Sequence, residues 1–165
     1  MSLREALLAD LDHECAVTRR VLARVPEASL AWKPHEKSFS LGGLATHVSQ
    51  LPHWGRQILD RDSYDLDSAS GHHEGLASLT EILAMFDRHV AEVRQGLTSR
   101  SDAELLGAWC LKRGTETMLI LPRASAVRSF MLHHLIHHRG QLTLYLRLLN
   151  VPLPPIYGPT ADEPL

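Results

Sequence analysis

Apolar positions recur every three or four residues over most of the chain. Ser2 and Glu5 have the spacing of a capping box, and after them Leu7, Leu8, Leu11, Cys15, Thr18, Leu22 and Val25 form one stripe. This predicts a first helix that ends near residue 25, ahead of Pro26. Ser40 suits the cap of a second helix, with Leu44, Val48, Leu51, Gly55 and Ile58 as its seam. Pro52 lies beside that seam, removes a backbone donor and should kink the helix. Ser78 and Glu81 repeat the capping spacing before Leu79, Ile82, Leu83, Phe86, Val90, Val93 and Leu97. The longest helical pattern runs from Pro122, suited to a first turn, to Asn150, with Pro152 just beyond. Four amphipathic helices in one short chain predict an all-α fold, an antiparallel four-helix bundle in a single domain over residues 1–165.

The connections are less regular. AWKPHEKSFS, with Trp32 and Pro34, has no period and reads as a link between the first two helices. Residues 60–76 are polar and broken by glycine, which predicts a mobile surface loop. Ser101 with Glu104 can start a short helical piece. Residues 107–121 are ambiguous: TMLILP suits a short strand or extended segment, and Lys112-Arg113-Gly114 a turn. The proline-dense tail after Asn150 cannot be helical and is expected to lie extended along the body.

Composition narrows the function classes. Of 165 residues 44% are hydrophobic and 22% charged, ordinary for a globular protein with a sizeable core. No apolar run reaches about 18 residues, so no membrane span is expected. The charged N-terminus has no apolar signal core, so a cytoplasmic protein is expected. The formal net charge of −2 argues against nucleic acid as a partner. Cys15 and Cys110 have no metal-motif spacing, and Cys15 falls on the apolar stripe as a buried small hydrophobe.

The histidines change the picture. His133, His134, His137 and His138 crowd into the longest helix. Residues on a helix turn by about 100° each, which sets Val127, Met131, His134, His138, Leu142, Tyr145 and Leu149 on one stripe. His134 and His138 therefore stand where leucine would be expected, with His133 and His137 at the margin. An unsatisfied polar group in a core costs about 1–3 kcal/mol. Histidines at i and i+4 present their rings to a common point, which suits a shared ion. On the second helix His47, between Leu44 and Val48, faces the core, while His53 falls on the polar side. His89, beside Phe86 and Val90, reads as a satisfied core histidine; His13, His35, His72 and His73 read as surface or loop residues. Together His47, His134 and His138 predict a three-histidine metal site. Gln141 is a candidate hydrogen-bond partner for a ligand histidine, and Tyr145, in the same seam, is a candidate proton donor that reads more readily as a core residue. Arg139 is a candidate anchor for a substrate carboxylate, though its place off the stripe favours a surface or subunit contact. Gly140 either lets a neighbouring helix approach or is merely tolerated in the helix.

These residues resemble the DinB-like superfamily over almost the whole chain. The resemblance includes WKP (Trp32 to Pro34), the segment S-x-G-x-L-x-x-H-V ending at His47 and Val48, and Trp54. Its most specific part is H-x-x-x-H-R-G-Q-L, His134 to Leu142, followed by YLRLLNVPLPPIYGP. Pro52 departs from the pattern. The resemblance implies a DinB fold, commonly a homodimer, with a divalent metal on the residues here numbered 47, 134 and 138. Some members are S-transferases using a low-molecular-weight thiol such as bacillithiol or mycothiol. Related folds include a mycothiol-dependent maleylpyruvate isomerase and a domain of ergothioneine-synthesising enzymes. The family name does not imply DNA binding.

Three imidazoles leave a coordination position open, a pattern of catalytic rather than structural sites. Zinc is the default ion, with nickel, iron, manganese or cobalt allowed by ligand type. Such a site suits activation of a thiol, whose thiolate is the reactive form, or of water for hydrolysis. The leading expectation is a thiol-dependent transferase with a small-molecule substrate. The alternatives are a metal-dependent hydrolase and a non-catalytic metal- or ligand-binding stress protein. The long helix is apolar beyond its inward stripe (Leu132, Leu135, Ile136, Leu144, Leu146), so it should be central or part of a dimer interface.

Overall fold

The computed structural model describes residues 1–68 and 75–164. The protein is mostly helical, at 61%. Helix α1 spans Leu3–Leu22, α2 Leu41–Asp60, α3 Leu79–Thr98 and the short α4 Asp102–Leu106. Helix α5, Arg123–Val127, passes through a π turn at Arg128–Leu132 into α6, His133–Leu148.

Serine starts each of the first four helices. Ser2, Ser78 and Ser101 form capping boxes with Glu5, Glu81 and Glu104, and Ser40 Oγ accepts from Gly43 N–H. Each serine satisfies a backbone donor that the first turn leaves unpaired, typically worth about 1 kcal/mol. Helix α1 packs against α3 and α6, and α2 against the same two helices. Their facing stripes make one core that includes Leu11, Leu44, Val48, Phe86, Val93, Val127 and Leu142. Gly55 lets α2 pack tightly on α3: a Cβ there would sit 2.8 Å from Val93 Cγ2 and 3.1 Å from Met131. Pro52 is buried inside α2, which runs through it as one helix. Among the described residues no helix is long and apolar enough to cross a membrane.

A three-stranded sheet corrects the all-α expectation. Strand β1, Ser63–Asp65, runs parallel to β2, Ala108–Arg113, which pairs antiparallel with β3, Glu116–Pro122. The expected loop at 60–76 thus contributes a strand and a 3-10 turn at Leu66–Ser68; residues 69–74, with His72 and His73, lie outside the described residues. The expected turn at 112–114 falls slightly later. Lys112 and Arg113 stay in β2, and Gly114 reverses the chain at φ +56°, a region that glycine enters without steric cost. The carboxylate of Asp65 accepts from Gly114 and Asp67 N–H, and these bonds hold its pKa below the usual carboxylate range. TMLILP, read as a short strand or extended segment, lies in strand β3; the sequence leaves the reading open because β3 is exposed along nearly all its length and carries no alternation of buried and solvent-facing residues.

The tail lies along the helices as expected. Val151, Leu153 and Ile156 pack on the core, and Arg147 and Arg24 hold Asp162 and Glu163.

Candidate metal centre

Helix α6 brings His134 and His138 one turn apart, with their Nε2 atoms 2.8 Å from each other. The outer nitrogens are engaged. His138 Nδ1 lies 2.7 Å from Gln141 Oε1, which can only accept, so Nδ1 carries the proton. The ring of His134 hydrogen-bonds the backbone of Phe130, in the π turn just before α6. Its Nε2 faces His138, so Nδ1 is the atom that donates to that carbonyl.

Both Nε2 atoms are therefore left with lone pairs aimed at each other. Such an arrangement is stable only with a proton or a cation between them. Burial, the main cause, lowers the pKa of both rings below the ordinary histidine value, which disfavours the proton.

His47 completes the group from α2. Its ring centroid lies 4.5 Å from that of His138 and 5.3 Å from that of His134. One nitrogen from each of the three rings falls within 4.8 Å of the others. Three imidazoles, two of them with their outer nitrogens held by hydrogen bonds, fit a divalent first-row ion. His47 and His134 are partly exposed and His138 is buried.

Phe39 also bounds the site and was missed from the sequence. Its ring stacks on His47 at 5.6 Å and meets His138 edge-on at 6.5 Å. The available signal was an apolar residue directly before the Ser40 cap, a place where side chains fold back onto their helix. Tyr145 packs edge-on against Trp32, with its hydroxyl 3.4 Å from the Phe39 carbonyl. It is a core residue that braces the Phe39 backbone.

Arg139 requires a correction. It is not on the surface, at a subunit contact or free to anchor a substrate, but 1% exposed. Its guanidinium pairs with Glu14 at 2.7 Å and donates to Thr18 Oγ1 and Tyr157 Oη. Helical periodicity sets it off the histidine stripe, yet α1 covers that side too, so α6 is buried on two sides. Of the two readings of Gly140, the structure favours a tolerated glycine: nothing lies within 4 Å of where its Cβ would stand. His133 and His137 are exposed.

The model of the DinB family matches residues 1–164. The chain belongs to the DinB family. No curated protein matches it. The fold of this DinB protein is similar to the crystal structure of a DinB-like protein from Bacillus cereus, with a TM-score of 0.72 and 18% identity, covering 93% of this chain and 97% of that one. It is also similar to a DinB-like protein from Bacillus subtilis, with a TM-score of 0.71 and 16% identity, covering 92% and 97%.

Proposed function

We propose that this DinB-family protein is a divalent-metal-dependent enzyme whose ion is held by His47, His134 and His138, and that it transfers groups to or from a low-molecular-weight thiol. The observation that carries the reading is the facing pair of Nε2 lone pairs on His134 and His138, with Gln141 and Phe130 fixing the outer nitrogens. Zinc is the default ion, and nickel is equally compatible with three imidazoles. When bound, a divalent ion supplies Lewis acidity that favours a thiolate over a thiol near neutral pH. The chain's own contribution is orientation. Gln141 holds the His138 ring in one tautomer, and Phe39 screens one side of the site from water. The four long helices, read as an antiparallel four-helix bundle, keep α2 and α6 rigid around the site. The protein is read as a homodimer, supported by exposed Leu144 and Leu148 on α6 and Met118 and Ile120 on β3.

Metal analysis of untagged protein, followed by incubation with small thiols and an electrophile, tests the reading. The expected result is a stoichiometric divalent ion and metal-dependent thiol consumption, both lost in His138→Ala. Ester or amide turnover without thiol would transfer the assignment to a hydrolase. Bound metal with neither activity would leave a non-catalytic metal-binding protein.

A further inference from the structure

Outside this centre, a second group of ligand-type side chains sits between α2 and α3. His53 comes from α2, and His89 and Glu92 from one face of α3, where residues three apart are neighbours. One nitrogen from each imidazole and a carboxylate oxygen all lie within 4.8 Å of one another. The two rings are tilted together at a centroid distance of 5.1 Å.

The hydrogen bonds around the group leave it incomplete. His89 Nδ1 lies 3.0 Å from the Ser49 carbonyl, so Nδ1 donates and Nε2 keeps its lone pair. Burial, the main cause, keeps the His89 pKa below its ordinary value, which favours the neutral ring. His53 Nδ1 is a buried atom with no hydrogen-bond partner, and it lies 3.8 Å from Glu92 Oε2. That distance is too long for a hydrogen bond.

Next to it, Gln57 Nε2 lies 2.8 Å from His53 Nε2, while Gln57 Oε1 is buried and unpaired. A half-turn of this amide lets its oxygen accept a proton from His53 Nε2 and places the amide nitrogen at the unpaired position instead. The same change leaves His53 Nδ1 as a bare lone pair facing Glu92. Both histidines then have an outer nitrogen held by a hydrogen bond, as metal-ligating imidazoles do. The side chains of His53 and Glu92 are 45% and 40% exposed, so the group lies near the protein surface.

We propose that His53, His89 and Glu92 form a second binding site for a divalent first-row cation, which ties α2 to α3. Two imidazoles and one carboxylate suit zinc, iron, cobalt or nickel and leave coordination positions to water. The site shares no ligand with the three-histidine centre, and the inference does not depend on that centre's function.

Equilibrium dialysis against zinc, with circular dichroism as a check on folding, tests the proposal. The expected result is about two zinc ions per chain in the native protein and about one in His53→Ala/Glu92→Gln, with an unchanged spectrum. His134→Ala/His138→Ala should also keep about one, and adding His53→Ala should remove it. If the native protein binds one ion that His53→Ala removes and His134→Ala does not, the second site stands and the three-histidine reading fails. Stoichiometry unchanged by His53→Ala/Glu92→Gln in a folded protein overturns the proposal. So does the absence of bound zinc in a folded His134→Ala/His138→Ala variant.

Discussion

His138 donates its Nδ1 proton to Gln141 Oε1 across 2.7 Å, and that bond decides which nitrogen faces His134. Without it the His138 ring is free to change tautomer or turn. Loss of an outer hydrogen bond of this kind commonly weakens metal affinity by about 10–100-fold. Gln141→Leu should therefore bind zinc more weakly by that factor at unchanged thermal stability, as read by competition with a chromophoric chelator. Affinity equal to the native protein would show that the bond does not orient the ligand.

The same buried rings predict a pH dependence. His134, His138 and His89 have folded-state pKa values below the unfolded value of about 6.5. Below that pH the unfolded chain binds more protons than the folded one, so stability falls as pH falls. Above it their contribution is fully present. In chelator, the urea midpoint should drop between pH 7 and pH 5, before the carboxylates titrate. Replacing His134 and His138 by glutamine should flatten that drop; a midpoint that is flat or rises on acidification contradicts the assignment.

Arg139 and Glu14 form a buried pair, with side chains 2% and 12% exposed. Removing one partner strands the other charge in a low-dielectric setting, at a cost of about 3 kcal/mol. Arg139→Met should lose about that much by chemical denaturation. Glu14→Gln in the same background should recover part of it, because no unpaired charge remains. Simple additivity of the two losses would remove the pairing argument.

Burial first, then the nearby Asp12 and Glu14 carboxylates, push the Cys15 thiol up to about 12. At pH 8 it stays protonated and enclosed, and so unreactive. Cys110 is partly exposed. A thiol titration of native protein should report one fast-reacting cysteine, with the second appearing only in denaturant. Fast reaction of both in the native state would mean that α1 does not cover Cys15 as described.

Much of this protein was legible before the fold. Serine caps, the apolar stripes of the long helices, and the inward placement of His47, His134 and His138 are local properties. They follow from helical periodicity and from the cost of placing a polar ring where leucine belongs. The pairing of the three strands, the buried Arg139–Glu14 pair, the Phe39 wall and the meeting of His53 with His89 were not. Each depends on which faces of different helices or strands come together, a matter of packing across long sequence separations that no single segment's period encodes. His53 lay correctly on the polar side of its helix, yet that side turned out to border α3. A chain's own pattern says which residues leave water; only the packed neighbours say what they meet there.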